Sequence, residues 1–209
     1  MALPVVNGTE GYAEEVEALV RQYESLTFAE VHRSVLHLLP QPPGWVLDVG
    51  AGTGRDAAAL AAMDHRVTAV EPTTALRTRA ARLHPSPAIR WVNDSLPDLA
   101  YTTSEGTRYD AVMLTAVWMH LDGAQRRRAM PRVAGLLCLG GVMVLSLRHG
   151  PVPPRRRMFD VTANETIDLA ALEGLETELR HEGGDRLLSR PGVSWTRLAF
   201  RKPGGTEAQ

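Results

Sequence analysis

The sequence predicts an α/β fold: a mostly parallel, seven-stranded sheet with helices on both faces and an antiparallel C-terminal hairpin. Three observations predict it. The stretch Val46-Leu47-Asp48-Val49-Gly50-Ala51-Gly52-Thr53-Gly54-Arg55-Asp56 is a short apolar run, a glycine-rich turn and the start of an alanine-rich helix, the opening unit of a nucleotide-type α/β domain. Apolar runs then alternate with helix-patterned segments. The last two runs, Leu175 to His181 and Val193 to Arg201, are joined by a connection containing glycine and proline.

The chain has 209 residues, enough for one α/β domain with a sizeable core. We divide it into an N-terminal helical cap segment (1–44), a core (45–202) and a flexible tail (203–209). Net charge is -1, so no global field favours nucleic acid or an anionic membrane. A single cysteine, Cys138, excludes an intrachain disulfide and a Cys-based zinc cluster. Its apolar surroundings predict a buried structural thiol. No apolar run is long enough to span a bilayer, and the first residues lack a basic-then-apolar leader pattern. A cytoplasmic protein, monomer or homodimer, is the expectation.

Residues from about Tyr12 to Leu39 read as a helix in two pieces. Val16, Leu19, Val20 and Tyr23 share one face, and Phe28, Val31, Val35, Leu36 and Leu39 continue an apolar stripe. Pro40, Pro42, Pro43 and Gly44 stop it. Ala57 to Met63 form the next helix, small enough to pack closely on a sheet. Arg66 to Val70 form the second strand, ending at Glu71, Pro72 and Thr73. A helix runs to about Leu83, with His84 in a solvated loop. Ile89 to Val92 form the third strand, ending in Asn93, Asp94, Ser95 and Leu96.

Tyr101 to Arg108 read as a polar loop, and Tyr109 to Thr115 as the fourth strand. Gly123 to Cys138 read as a helix bent at Pro131, because an interior proline costs about 3 kcal/mol. Arg126, Arg127 and Arg128 fan around it as a solvated face. Leu139 to Gly141 turn into the fifth strand, Val142 to Leu147, which carries Ser146, Arg148 and His149 at its end. Gly150 to Arg157 is a lid over an anionic acceptor or an exposed connector. Thr162 or Asn164 starts a last short helix.

Spacing identifies the ligand class. A dinucleotide fingerprint beginning at Gly50 would need glycine where Arg55 stands. The third glycine comes one residue early. The resulting Asp48-Val49-Gly50-Ala51-Gly52-Thr53-Gly54 resembles the first motif of class I S-adenosylmethionine-dependent methyltransferases, and the resemblance extends over most of the chain. It implies a Rossmann-like class I methyltransferase fold. It also implies S-adenosyl-L-methionine as cofactor, with S-adenosyl-L-homocysteine as product. The activity implied is methyl transfer to an oxygen or nitrogen of a small-molecule acceptor.

Under that resemblance, Asp48, Gly50, Ala51, Gly52, Gly54 and Asp56 are cofactor residues. Glu71 stands at the end of the second strand, near the offset of about 20 residues expected for a ribose-binding carboxylate. Pro72 and Thr73 then flank the adenine. Asp94, Ser95 and Leu96 read the base; the alternative is that Asp94 caps its own turn. Thr115, Ala116 and Val117 fall near the methionine portion, where the first and fourth strands flank the switch in strand order. The segment Ala116 to Leu121 resembles that of ubiquinone-biosynthesis-type enzymes.

Tyr23 joins the cofactor set, and Phe28, His32, Trp118, Arg148 and His149 are acceptor-site candidates. The alternatives are core positions for Tyr23 and Phe28 and a surface position for His32. His120 is the candidate base, since imidazole titrates near neutrality; its alternative role is to shape the pocket. No metal is called for. Thr115 to Trp118 lacks the Asn/Asp-Pro-Pro-aromatic pattern of nucleobase and glutamine-amide methylating enzymes, and no paired-Asp and Asn set for magnesium is evident. The competing readings are a macromolecule methyltransferase and a non-catalytic cofactor-binding partner or sensor. Glycine spacing and the terminal hairpin disfavour an NAD-dependent oxidoreductase.

Overall fold

The computed structural model describes residues 6–204. Its seven strands form one sheet in the order β3-β2-β1-β4-β5-β7-β6, where β1 is Trp45–Val49, β2 Arg66–Val70, β3 Ile89–Val92, β4 Tyr109–Leu114, β5 Leu137–His149, β6 Glu176–Gly184 and β7 Ser194–Arg201. β1 to β5 are parallel to one another, and β7 runs antiparallel to both β5 and β6. This is the class I methyltransferase topology the sequence points to. Strand order reverses between β1 and β4, which opens a crevice at their carboxyl ends.

The helices are α1 (Val16–Tyr23), α2 (Phe28–His32), α3 (Arg55–Ala62), α4 (Thr74–Leu83), α5 (Ala100–Ser104), α6 (Gly123–Leu136) and α7 (Ala163–Leu172). β1, β2 and β4 are buried on both faces along most of their length and are mainly apolar, with Asp48, Thr68 and Asp110 as their polar interruptions. Two apolar clusters fill the faces. Leu47, Val112, Met143, Met130 and Phe200 lie on one. Val46, Val67, Leu60, Met113 and Val144 lie on the other. Thr27 and Asp122 start α2 and α6 with capping boxes, closed by Glu30 and Gln125.

Several expectations need correction. Residues 100–104, read as loop, form α5; five polar and small residues are too few to show a period. β5 starts already at Leu137, with a register shift opposite Tyr109 and Ala111 that absorbs the Leu139–Gly141 segment. Cys138 is therefore a half-buried strand residue rather than a buried core thiol. Arg126 is not on a solvated face. It is buried, with Nε 2.8 Å from Glu165 Oε1 and a further bond to the Leu121 carbonyl, and it ties α6 to α7. His84 is not free in solvent but lies 3.3 Å from Glu24. Of the expected tail, 205–209 lie outside the described residues, as do residues 1–5 of the cap segment. No helix among the described residues is long and apolar enough to cross a membrane.

Candidate active site

A cavity of about 810 Å³ opens at the carboxyl ends of β1, β2, β4 and β5. Its floor is the turn after β1. Gly50, Gly52 and Gly54 take φ values of 73°, 57° and 89°, conformations that disfavour any side chain. A Cβ on Gly50 would stand 2.5 Å from Val117 Cγ2, so glycine there keeps the turn against the segment following β4. The Gly50 and Ala51 amides both donate to the Val70 carbonyl, which binds the turn to β2.

Glu71, at the end of β2, is fixed by backbone. Its Oε2 accepts from Gly52 N at 3.0 Å and its Oε1 from Thr73 N at 2.7 Å. Each carboxylate oxygen retains acceptor capacity toward the cavity. Burial raises its pKa against those two amide bonds. Asp48 is 1% exposed, and its Oδ2 has no hydrogen-bond partner. Burial first, then Asp56 and Glu71, pushes its pKa well above the ordinary value. Asp56 is its opposite. His32 Nε2 at 2.8 Å, Arg55 Nε at 2.7 Å and the Thr115 hydroxyl at 2.9 Å surround that carboxylate. His32 and Arg55 outweigh its burial and hold its pKa low.

Tyr23, Asp48, Gly50, Ala51, Gly52, Asp56, Glu71, Pro72, Thr73, Asp94, Ser95, Leu96, Thr115, Ala116, Val117, His120 and Arg148 all line this cavity. Others expected there do not. Gly54 faces Trp91 and His84 at the start of α3, where its left-handed conformation turns the chain into the helix. Phe28 is a core residue of the N-terminal cap. His32 is neither in the acceptor pocket nor at the surface but buried behind the site on Asp56. Trp118 is fully buried in the core. His149 lies outside the lining, 2.8 Å from the Thr196 hydroxyl. The Asp94 carboxylate accepts from Ser95 N, Thr102 N and Thr102 Oγ1, so it caps its own turn and holds the start of α5.

His120 is part of a chain of contacts. Its Nδ1 lies 2.7 Å from the Arg157 carbonyl, and its Nε2 lies 3.1 Å from the Tyr12 hydroxyl. A carbonyl only accepts, so Nδ1 carries the proton and Nε2 presents its lone pair to Tyr12. Burial lowers the His120 pKa, leaving the ring neutral near pH 7. Tyr12 stacks under the Arg156 guanidinium at 4.0 Å, and burial pushes its pKa up.

The sequence reading passed over Tyr12, which lies just before the first helix, and over the β6–β7 connection, whose Asp185, Arg186 and Arg190 also line the cavity. Arg156 closes the upper rim. It bonds Glu15 Oε2 at 2.5 Å and the Glu10 carbonyl at 3.2 Å, so Arg156 straps the 150–157 loop to the N-terminal segment, while Gly150, Pro151, Val152, Pro154 and Arg155 of that loop stay exposed.

Comparison with known proteins agrees with this architecture. Residues 46–141 match the family model described as a methyltransferase domain. An uncharacterised methyltransferase of Mycobacterium tuberculosis is 32% identical over 130 residues, covering 58% of this chain and 64% of the relative; the chain thus spans less than two thirds of that relative's length. The N-methyltransferase NodS of Bradyrhizobium japonicum, solved with S-adenosylhomocysteine, superposes with a TM-score of 0.68 at 18% identity over 92% of this chain and 98% of NodS. The Burkholderia thailandensis 1,6-didemethyltoxoflavin-N1-methyltransferase gives a TM-score of 0.61 at 21% identity over 97% and 93% of the two chains. At these identities the solved structures speak to the fold.

Proposed function

We propose that this chain, whose residues 46–141 match a methyltransferase-domain model, is a class I S-adenosylmethionine-dependent methyltransferase that transfers a methyl group to an oxygen or nitrogen of a small molecule. One observation carries the reading. Two buried carboxyls, Glu71 and Asp48, face one cavity over a glycine turn, the first clamped by backbone amides and the second with an unpartnered oxygen. The pair fits the cofactor. Glu71, held rigid, accepts both hydroxyls of a ribose, while Asp48 Oδ2 takes an ammonium group, which relieves the cost of a buried unpaired acid. Leu96 and Pro72 supply the apolar side on which an adenine packs. The descriptions of both solved neighbours, which carry S-adenosylhomocysteine, support the same ligand.

Bound S-adenosylmethionine supplies an electrophilic methyl carbon on a sulfonium. The chain's own contribution is first to position: in-line displacement needs the acceptor atom behind that carbon, a requirement worth several kcal/mol of barrier when met by a closed site. Arg156, by strapping the 150–157 loop to the N-terminal segment, covers one side of the cavity. A concave site partly covered in this way suits a small acceptor. For an acceptor that must lose a proton, Tyr12 is the group that His120 Nε2 contacts. The Tyr12 hydroxyl receives the proton as it passes its own to His120 Nε2, and Arg157's carbonyl stabilises the imidazolium through Nδ1. General-base assistance of this kind is worth roughly 10²–10⁴-fold.

The test is transfer of labelled methyl from S-adenosylmethionine into a panel of hydroxyl and amine acceptors, scored with wild-type and Glu71→Ala protein. Label transfer that needs Glu71 supports the reading. Binding of the cofactor without transfer to any acceptor favours a binding protein instead.

A further inference from the structure

The cavity has a second half that the cofactor reading leaves unused. β5 and β7 pair antiparallel, with Ser146 opposite Arg197 and Arg148 opposite Trp195. Alternation along each strand puts these four side chains on one face of the sheet, and all four line the cavity. Arg148 Nε is buried and has no hydrogen-bond partner. Arg197 uses its Nε on the Val31 carbonyl at 3.2 Å, and its other nitrogens have no partner among the described residues. No carboxylate among the described residues stands within 4.0 Å of either guanidinium.

The neighbouring acid does not neutralise them. Asp185 takes Arg190 Nε at 2.7 Å, Arg190 Nη2 at 3.1 Å, the Arg190 amide at 3.0 Å and Trp195 Nε1 at 2.9 Å. Its charge is spent on Arg190. Burial and the proximity of Arg190 lower the Arg148 pKa, as expected for a cation short of counter-charge. Arg148 and Arg197, on β5 and β7, are thus guanidinium groups on the cavity wall with no carboxylate paired to them among the described residues. Planar guanidinium forks match carboxylate and phosphate oxygens.

We propose that Arg148 and Arg197 form an anion subsite, so that the methyl acceptor carries a carboxylate or phosphate which these two side chains hold. The inference deepens the methyltransferase reading and rests on it for the word acceptor; the anion site itself does not.

Calorimetry tests it on the full chain saturated with S-adenosylhomocysteine, with benzoate as one probe and inorganic phosphate as the other. Wild-type protein is expected to bind one of them, and which one separates a carboxylate from a phosphate acceptor. Arg148→Gln and Arg197→Gln should each weaken that probe by roughly tenfold or more, with S-adenosylhomocysteine affinity unchanged and Arg148→Lys recovering part of the loss. If wild type binds neither probe, or the variants bind as well as wild type, the subsite is refuted. Loss of S-adenosylhomocysteine binding in the variants would overturn it too, because the arginines would then serve the cofactor. Failure of wild type to bind S-adenosylhomocysteine sinks the methyltransferase reading alone; the same titrations on the unloaded protein still decide the anion subsite.

Discussion

The Tyr12 hydroxyl stands 3.1 Å from His120 Nε2, while Nδ1 of the same ring is held 2.7 Å from the Arg157 carbonyl. The contact joins the N-terminal segment, the turn after β4 and the 150–157 loop at one imidazole. Because the carbonyl fixes the tautomer, the lone pair of His120 Nε2 is turned to the Tyr12 hydroxyl. Tyr12→Phe and His120→Ala are therefore expected to lower kcat by about 10²-fold each. The double variant should be little worse than either alone, since the two act as a unit. S-adenosylhomocysteine affinity, read by calorimetry, should change little. Additive losses in kcat would show that the two residues act separately.

The pH profile follows from the same ring. Burial sets the His120 pKa below its ordinary value of 6.5. Its neutral form is the one the fold keeps, so its contribution to stability is present above the unfolded pKa and is lost as pH falls through the folded pKa. Activity should share that direction: kcat is flat near pH 7 and falls on the acid side, below 6.5. His120→Gln should remove that acid limb.

Asp48 works the other way. Its pKa is raised above 3.8 by burial, so its contribution to stability is present below the unfolded value and is lost as pH rises through the folded one. At pH 7 the ligand-free protein carries a penalty there. Asp48→Asn is expected to stabilise the ligand-free protein by on the order of 1–3 kcal/mol, raising its melting temperature, while weakening S-adenosylhomocysteine. Thermal melts with and without ligand measure both. A variant destabilised without ligand would contradict the reading of Asp48 as an unpaired acid awaiting a cation.

Arg126 provides a stability test away from the site. Its side chain is 5% exposed and paired with Glu165. Arg126→Ala leaves the buried Leu121 carbonyl and a partly solvated carboxylate without their partner, a loss of about 1–3 kcal/mol. Chemical denaturation should register it, with the cofactor site intact in the folded fraction.

Much of this was legible locally. The bounds of β2 and β3, the glycine turn and the carboxyl at Glu71 follow from short-range signals: apolar runs, turn residues and offset. What was not legible depends on contacts across the chain. His32 reads as a surface or pocket residue until α2 is seen to lay it on Asp56, 24 positions away. Trp118 reads as a pocket aromatic because nothing in its neighbours shows which side of the backbone faces the core, whereas for Phe28 the core alternative offered by its apolar stripe is the one the structure has. Three consecutive arginines necessarily fan around a helix, yet only the placement of α7 reveals that Arg126 points inward at Glu165. Tyr12 stands at the start of the segment read as helix and off the apolar face that begins at Val16, and its role appears only once Arg156 and His120 are seen beside it. The turn-capping alternative for Asp94 was available in sequence and describes its carboxylate as the structure has it.

The central claim is that the turn after β1 and the Glu71 carboxylate build a site for S-adenosylmethionine. Titration calorimetry with S-adenosylhomocysteine tests it most directly, with NAD and Glu71→Ala protein as controls. Micromolar binding that is lost on removing Glu71, with no response to NAD, is the expected result. Absence of S-adenosylhomocysteine binding to well-folded wild-type protein would contradict the account and leave the glycine turn as a feature of the fold alone.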